Sequence, residues 1–434
     1  MKAGVATKDI TPTIPVTMVT GIKSTGVHDP LCARAFVLDD GSNAVAVVSL
    51  DITITSFEFT DSIRDIIQER TGIEHLLINS THTHSAPRME WKGLQDAAVE
   101  AIVEAYEGRF SVTLCAGRAP VQIGYNRRVT DEEGQVSMGI NKEGIIVPWV
   151  NVLVARRVDR DEETPPLAVL FEHAAHPVIV HETSSLLSGD FCGHAVSRIR
   201  NILGSDTVPI FLQGCGANVN AHPLASGHAN AEAAGVKLAD AALIAVDSAS
   251  DIGADTLVVR SRTIMLDCQP LPSLEVLDAT QKMLDVDFAN GTESGKPVSW
   301  ITEEVYREMT EKLDARKEMV KRGEESLPRR YGATVIQLGA EWCLVALEGE
   351  TFCEYELWVD EASPCENTMT LGYTNGDSGY IATDSALALG AKGGYEAGTY
   401  PCWWAHGPTS DSRNTPAVGI EQSIRSCVES LWRG

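Results

Sequence analysis

Short apolar runs and helical repeats alternate along the first part of the chain. Residues 44–54 (AVAVVSLDITI) and 75–79 (HLLIN) are short, apolar and rich in β-branched side chains, which is typical of buried strands. Between them, residues 61–73 (DSIRDIIQERTGI) place apolar side chains at helical spacing. Together the three segments predict a β-α-β unit.

Similar patterns predict further elements in the rest of the chain. Strands are expected at 111–116, 149–156, 166–172, 208–212, 256–266 and 333–348. Helices are expected at 93–107, 192–203, 229–248 and 416–432. The fold class is therefore α/β, with mixed β-sheets flanked by helices. Because no repeat or Pro/Ser-rich linker divides the sequence, we expect one large domain over residues 1–434.

A highly charged segment at about 270–330, the charged excursion, interrupts these alternating strand and helix patterns. Its second half, 302–325 (TEEVYREMTEKLDARKEMVKRGEE), has few apolar residues. This composition predicts a solvated helix rather than a functional segment.

Composition and charge narrow the class of protein. The 434 residues are 44% hydrophobic and 22% charged, which is typical of a soluble globular protein. With 35 basic against 60 acidic residues, the net charge of −25 argues against nucleic-acid and acidic-lipid surfaces as partners. The sequence has no apolar run of membrane-spanning length, and MKAGVATKDITP does not read as a signal peptide. We therefore expect a cytoplasmic protein with a small-molecule substrate and no membrane or nucleic-acid partner, and we leave a homo-oligomer open.

The ten cysteines are scattered and form no CxxC pair. This pattern argues against a zinc ribbon or a dithiol redox site. Most of these cysteines are expected to be free thiols in the core.

Histidines follow two of the predicted strands. The stretch 79–88 (NSTHTHSAPR) places His82 and His84 directly after one apolar run, and alternate residues of an extended segment point to the same side. A second run, PLAVLFEHAAHPVIVH, ends in His173, His176 and His181. Open α/β sheets place their sites at such strand ends, and imidazole is a good zinc ligand. An HxH pair alone is also compatible with ordinary surface or hydrogen-bonded histidines.

An acidic pair follows a third strand. The run CLVAL is followed by Glu348 and, after one glycine, Glu350. Two neutral imidazoles and one carboxylate form a common catalytic zinc set that leaves a position open for water. Glu350 is equally compatible with an acidic residue in the first turn of a helix.

Eight short motifs, spread over nearly the whole chain, resemble the neutral (non-lysosomal) ceramidase family. They are DPLCARAFVLDD, HTHSAP, YNRR, AAHP, SGDFCGHA, LEGETF, SGYIAT and GYEAG. The catalytic domain of that family is a zinc-dependent amidase. The resemblance therefore implies the same fold and a single catalytic zinc ion as cofactor.

The resemblance also implies site residues. The zinc ligands would be His82, His176, Glu350 and Tyr380. The residues beside the metal, around the scissile carbonyl, would be His84, Arg127 and Tyr395. Without the resemblance, Tyr380 would be interpreted as a core tyrosine.

Each of these residues can be given a chemical role. Zinc lowers the pKa of a bound water toward about 7, and Arg127 or Tyr395 can stabilise the oxyanion that follows attack. His84 is the candidate general acid or base. Asp190 would orient a ligand histidine or cap the following helix, and His194 is expected to be a structural histidine with its hydrogen bonds satisfied.

One family motif is altered in this chain. Family members carry a Gly-Asp-Val-Ser-Pro-Asn hexapeptide whose serine is a proposed nucleophile, whereas the corresponding stretch here is QGCGANVNAH. Asn218 and Asn220 replace the aspartate and the serine, so a serine mechanism is not available there. We expect Asn218, Asn220 and Gly216 to contact the substrate instead. Cys215 is the alternative nucleophile, but it lacks an evident base.

Two further features concern the end of the chain. The immunoglobulin-like C-terminal domain of the family is expected to be absent, because the sequence ends soon after the last motif in an amphipathic helix. The segment 402–406 (CWWAH) is compatible with a pocket wall or with core packing.

We therefore predict a zinc-dependent hydrolase that cleaves the amide C–N bond of a soluble small substrate. An esterase or lactonase using the same site, a true ceramidase and a non-catalytic metal-containing binding protein of this fold remain alternatives. A serine or cysteine amidase without metal is a further alternative, and its activity would survive a strong chelator.

Overall fold

A computed structural model describes residues 1–87, 90–161, 163–293, 296–297, 301–398 and 415–433. The strands in its first half are β1 (Lys2–Asp9), β2 (Gly26–Val27), β3 (Cys32–Asp39), β4 (Ala44–Leu50), β5 (His75–Ser80), β6 (Phe110–Pro120), β7 (Gly124–Thr130), β8 (Val136–Asn141), β9 (Trp149–Arg157), β10 (Ala168–His173) and β11 (Leu186–Leu187). The later strands are β12 (Val208–Gln213), β13 (Val219–Ala221), β14 (Ser250–Asp251), β15 (Leu257–Leu266), β16 (Thr292–Glu293), β17 (Lys296–Pro297), β18 (Arg329–Leu338), β19 (Trp342–Leu347), β20 (Glu350–Thr351), β21 (Asn367–Leu371) and β22 (Tyr380–Ile381).

Helices connect and cover these strands. The α-helices are α1 (Phe57–Thr71), α2 (Leu94–Glu107), α3 (Asp190–Leu203), α4 (His228–Asp247), α5 (Leu274–Asn290), α6 (Glu303–Lys321), α7 (Cys353–Ala362), α8 (Asp384–Leu387), α9 (Gly394–Ala397) and α10 (Ile420–Arg433). Short 3₁₀ turns lie at His181–Thr183 and Gly390–Lys392. Among the described residues, none of the helices is both long enough and apolar enough to cross a lipid bilayer.

A nine-stranded mixed sheet forms the centre of the fold. Its order is β12-β10-β9-β6-β1-β3-β4-β5, with β14 paired to β6. Strand β3 shows why these segments become strands: Phe36 and Leu38 pack on one face of the sheet, while Ala35 and Val37 pack on the other. Helix α1 connects the parallel pair β4 and β5, so the predicted β-α-β unit is confirmed.

The apolar side chains of the sheets form layers. The four-stranded sheet, in the order β15-β18-β19-β21, packs against one face of the large sheet, where Leu344 and Met369 share a core with Leu170 and Ile210. Helices α1 to α4 cover the other face of the large sheet, while α7 and α10 cover the outer face of the smaller one. The predicted α/β class with mixed sheets and flanking helices is confirmed.

Some predicted boundaries were wrong. The segment 333–348 is not one strand, because β18 and β19 form an antiparallel hairpin that turns at Gly339, where φ is +57°. Such a turn needs a left-handed conformation that glycine adopts without strain. Helix α1 starts four residues before the predicted 61–73, because the hydroxyl of Ser56 caps it by accepting from the Phe59 amide at 3.2 Å.

The charged excursion forms a helical hairpin rather than one fully solvated helix. Val305, Met309 and Leu313 lie on one stripe of α6. This stripe packs against Leu277 and Leu284 of α5. The apolar spacing was therefore sufficient for a small separate core, even though the composition is strongly charged.

One buried asparagine joins the strand ends from which the candidate site is built. The amide nitrogen of Asn79, in β5, donates to the carbonyl oxygens of Gly372 at 2.8 Å and Gln213 at 3.2 Å. Its side-chain oxygen accepts from the Gln213 amide at 2.7 Å. The carboxyl ends of β5 and β12 and the segment after β21 therefore meet at one place.

Candidate metal centre

His82 lies just beyond the carboxyl end of β5 in a strained conformation. Its φ of +67° is in the left-handed region, which is uncommon for a residue with a side chain and is frequent at functional sites. Its Nδ1 lies 2.6 Å from the carbonyl oxygen of Thr53. Because a carbonyl can only accept, Nδ1 carries the proton and Nε2 presents a lone pair. Burial lowers the pKa of His82 to about 3, so the imidazole is neutral.

His176 follows β10 and is held in the same way. Its Nδ1 donates to the carbonyl oxygen of Gly216 at 2.7 Å, so its Nε2 also presents a lone pair. Burial, followed by the nearby charge of Arg127, lowers the pKa of His176 well below the usual value for histidine. Both imidazoles are therefore fixed in the neutral tautomer that binds metal ions.

The two Nε2 atoms converge on the carboxylate of Glu350. Oε2 of Glu350 lies 3.1 Å from Nε2 of His176 and 3.4 Å from Nε2 of His82. Neither imidazole directs a proton toward the carboxylate, and a cation between the three atoms would satisfy all of them. Ligand atoms of a tetrahedral zinc site lie about 3.3 Å apart, given metal–ligand bonds of about 2.0–2.1 Å. The donor set therefore fits a divalent transition-metal ion.

His84 extends this donor set. Its Nε2 lies 3.3 Å from Nε2 of His82, and one nitrogen from each of His82, His84 and His176 lies within 4.8 Å of the others. Burial, followed by the neighbouring imidazoles, lowers the pKa of His84 well below its usual value. The geometry allows His84 either to bind the ion or to hold a proton beside it, and its predicted role as a proton carrier stays a prediction.

Arg127 organises the second wall of the site. Its Nε donates to Oε1 of Glu396 at 2.7 Å, its Nη1 to Oδ1 of Asn220 at 3.0 Å and its Nη2 to the hydroxyl of Tyr380 at 2.9 Å. Burial would raise the pKa of Glu396, but Arg127 and Arg128 outweigh it and hold the carboxyl ionised. The guanidinium is therefore fixed in position within hydrogen-bonding reach of two predicted site residues.

The two predicted tyrosines lie together beside this arginine. Tyr380 is the strand partner of Glu350 in the β20–β22 pair, and its ring centroid is 5.5 Å from that of Tyr395. The guanidinium carbon of Arg127 lies 5.6 Å from the first ring centroid and 5.7 Å from the second. The structure therefore brings Tyr380 and Tyr395 to the same site, whereas metal coordination by Tyr380 stays a prediction.

Comparisons with known proteins agree with this architecture. No protein-family model matches the chain. Among solved structures, neutral ceramidase from Pseudomonas aeruginosa matches with a TM-score of 0.63 and 16% sequence identity, over 89% of this chain and 69% of that one. A structure described as ceramidase complexed with C2 matches with a TM-score of 0.63 and 15% identity, over 89% and 70% of the two chains. This chain has the neutral ceramidase fold.

In this ceramidase-like fold, the sequence analysis missed several residues of the site. Tyr373 has a φ of +49°, its hydroxyl lies 3.4 Å from Nδ1 of His176, and its ring centroid is 4.3 Å from that of His82. Glu396 lies inside the GYEAG motif but was not considered as a partner of Arg127. The backbone oxygen of Thr53 leaves no signal in the sequence, because any residue type could supply it.

The structure corrects the prediction for Asn218. Its side-chain oxygen accepts from the Cys353 amide at 2.9 Å, and its amide nitrogen donates to Glu354 at 2.8 Å. Both ends of the side chain therefore hold the first turn of α7 and are not available to a substrate. Asn220, in contrast, reaches the site through Arg127.

Gly216 contributes to the histidine geometry rather than presenting a surface to substrate. A Cβ atom at this position would lie 2.7 Å from Nε2 of Gln213 and 2.9 Å from the Ala175 nitrogen. The absence of a side chain lets the chain pass close enough for the Gly216 carbonyl to hold His176.

Other predicted residues have structural roles. The carboxylate of Asp190 accepts from the amides of Val180 at 2.9 Å and Phe191 at 2.6 Å, so it orders the backbone before α3 instead of orienting a histidine. His173 donates from Nδ1 to the carbonyl of Trp149 at 2.7 Å. His194 was expected to have satisfied hydrogen bonds, but its Nε2 is buried without a partner among the described residues.

The cysteines among the described residues are free thiols, as predicted. Cys215 is fully buried, and burial followed by the nearby Glu356 raises its pKa well above the usual value. It is therefore a poor nucleophile. The aromatic segment 402–406 lies outside the described residues.

Proposed function

We propose that this chain is a metal-dependent hydrolase that cleaves the amide C–N bond of a soluble small substrate. One observation carries the proposal: two neutral imidazoles and a carboxylate turn their acceptor atoms toward each other at 3.1 and 3.4 Å. The fold also supports the proposal, because the two solved structures that match this chain are ceramidases, which cleave an amide bond. Zinc as the ion, a cytoplasmic location and an aqueous substrate are parts of this proposal.

His82, His176 and Glu350 would hold the ion, with Tyr380 as a further ligand. When bound, a zinc ion acidifies a water molecule and polarises the substrate carbonyl. The lone pairs needed for binding are already oriented, because Thr53 and Gly216 fix both histidine rings.

The remaining residues would act on the substrate. Attack by water on the carbonyl carbon builds negative charge on the carbonyl oxygen, and breaking the C–N bond requires a proton on the nitrogen. His84 would transfer that proton. Arg127, whose side chain Glu396 fixes in position, would stabilise the oxyanion together with Tyr395, and such a donor contributes about 2.7–4 kcal/mol in comparable sites.

Asn220 argues for an attacking water rather than an attacking side chain. Its amide oxygen accepts from Arg127 at 3.0 Å, and an amide does not form an acyl-enzyme in the ordinary way. The buried Cys215 is not a substitute. Water is therefore the nucleophile that fits the described residues.

A library of N-acylated amines and amino acids, tested with the matching esters, separates the alternatives. Released amine and released acid are measured for zinc-loaded, chelator-treated and zinc-restored protein. We expect amide cleavage that is lost with the chelator, restored by zinc, and abolished by His82→Ala and His176→Ala but retained by His75→Ala, a control outside the site.

Other outcomes point to the alternatives. Cleavage of esters alone would indicate an esterase or lactonase. Tight ligand binding without turnover would indicate a binding protein. This alternative is favoured by Asn220, which stands where the ceramidase family motif has a serine. Amide cleavage that survives a strong chelator would contradict the proposal.

A further inference from the structure

A second group of histidines lies at the start of α3, outside the candidate metal centre. The rings of His28 and His228 are stacked, with centroids 3.8 Å apart and planes at 9°. His194, in the first turns of α3, meets His28 edge-on at 5.6 Å. Asp29 follows His28 in sequence, and its Oδ1 lies 2.9 Å from Nδ1 of His28. Three imidazoles and a carboxylate therefore share one region of the surface.

Two nitrogen atoms of this group lack hydrogen-bond partners within the described part of the chain, whereas Nδ1 of His28 lies 2.9 Å from Asp29 and Nε2 of His228 lies 2.9 Å from the hydroxyl of Ser184. Nε2 of His194 and Nδ1 of His228 are both buried and have no hydrogen-bond partner among the residues that the structure describes. Buried polar atoms in folded proteins are nearly always paired with protein, water or an ion. Two such exceptions in a single cluster of imidazoles point to an ion or a water that binds there.

The carboxylate is held in a fixed position. Oδ1 of Asp29 accepts from the hydroxyl of Ser188 at 2.6 Å, and Oδ2 accepts from the Gly189 amide at 2.7 Å. A Cβ atom on Gly193 would lie only 2.8 Å from Oδ2, so the carboxylate fits because position 193 is glycine. These contacts hold Asp29 against the start of α3 and still allow an oxygen to face the histidines.

We propose that His28, Asp29 and His194 form a second binding site for a divalent transition-metal ion, with His228 as the wall against which His28 stacks. One nitrogen from each of the two histidines and one oxygen of Asp29 lie within 4.8 Å of one another. Ligands of a tetrahedral ion lie about 3.3 Å apart, so the donors must move closer. The side chain of His28 is 34% exposed, so solvent rather than packed protein borders part of it and it can shift toward His194.

The donor types select the class of ion. Imidazole with one carboxylate suits zinc, nickel, cobalt or copper, whereas calcium and magnesium prefer all-oxygen sites. The site shares no residue with the pair His82 and His176. The two sites are nevertheless linked by a short path, because the Thr83 hydroxyl, between His82 and His84, donates to the Ser188 carbonyl at 2.7 Å. An ion here would fasten β2 to the start of α3 beside the segment that carries His82 and His84.

The test removes the first site and counts the ions that remain. Full-length His82→Ala/His176→Ala protein is titrated with zinc by calorimetry and with cobalt(II) by visible absorption. We expect one equivalent of either ion to bind and zinc to raise the melting temperature. Adding His28→Ala or His194→Gln should weaken binding at least about tenfold, the smallest effect expected even for the loss of a supporting partner of a metal site. His75→Ala in the same background should leave binding unchanged.

Two results would overturn the proposal: no stoichiometric zinc binding in the doubly substituted protein, or binding that His28→Ala leaves unchanged. If the double substitution prevents folding, judged by circular dichroism, metal analysis of otherwise unsubstituted protein gives the answer. There, His28→Ala should lower zinc from two equivalents to one, and an unchanged zinc content would contradict the second site. Neither readout depends on hydrolysis. Failure of the second-site proposal is therefore distinguishable from failure of the proposed enzyme activity.

Discussion

A pair of buried glutamates beneath the candidate site should make the stability of the protein fall as pH rises. The carboxyl groups of Glu172 and Glu356 are both buried, and each shifts the pKa of the other. Their hydrogen-bond donors are Asn151, which donates to Glu172 at 2.8 Å, and the Cys215 amide, which donates to Glu356 at 2.9 Å. Burial raises the pKa of Glu172 to about 7, and burial together with Glu172 raises the pKa of Glu356 well above its usual value.

The sign and size of the effect follow from proton uptake. Glu356 keeps its proton in the folded state, whereas in the unfolded state it ionises above its usual pKa of 4.5. The folded state then binds more protons, so stability is present at low pH and is lost as pH rises, by about 1.4 kcal/mol per pH unit. The loss due to Glu356 continues until the pH passes the folded-state pKa of this carboxyl group.

The substitution Glu356→Gln tests this directly. The new amide can still accept from the Cys215 amide, but it cannot ionise. Urea unfolding followed by circular dichroism should show that the variant becomes more stable relative to the unsubstituted protein as pH rises from about 5.5 to about 7.5, by up to about 1.4 kcal/mol per pH unit. Glu361→Gln, on the exposed side of the same helix, is the control for surface charge. A difference between variant and unsubstituted protein that stays constant with pH, or that shrinks as pH rises, would refute the argument.

Three further substitutions probe the site. Arg127→Lys should lower kcat about 10²–10³-fold with little change in KM, because a lysine cannot keep the contacts to Glu396, Asn220 and Tyr380 together; an unchanged kcat would remove Arg127 from the mechanism. Cys215→Ala should retain activity in the same assay, because the thiol is buried and has a raised pKa. A complete loss of activity in a folded variant would support Cys215 as the nucleophile. Asn79→Ala should lower the free energy of unfolding by about 2–4 kcal/mol, because it removes four buried hydrogen bonds. An unchanged urea midpoint would contradict the account of how the strand ends meet.

The sequence was sufficient to predict the elements whose periodicity is strong. Strands β4, β5, β10 and β12 carry continuous apolar runs because both faces of the sheet are covered, and such runs are easy to recognise. The pattern of 333–348 predicts one strand where the structure has the β18–β19 hairpin, because both halves are apolar. Only the glycine conformation at the turn separates them, and a single glycine is a weak signal.

The candidate site was predictable where side chains follow such strands. His82, His176 and Glu350 each stand just beyond a strand end. Strands β10 and β19 run parallel to β12 and β21, and Asn79 joins the end of β5 to the ends of those two neighbours. The tautomer of each imidazole was not predictable, because backbone carbonyls set it. Asn218 was placed in the site by alignment to a family motif, but its side chain turns toward α7, and a sequence position alone does not give the direction of a side chain.

The central claim is that residues remote in sequence bind one ion. Anomalous diffraction at the zinc edge, from crystals of the zinc-loaded protein, tests it most directly. The account predicts an anomalous peak about 2.0–2.1 Å from Nε2 of both His82 and His176, with the Glu350 carboxylate in the same coordination shell. A fully loaded crystal with no peak between these two imidazoles would contradict it.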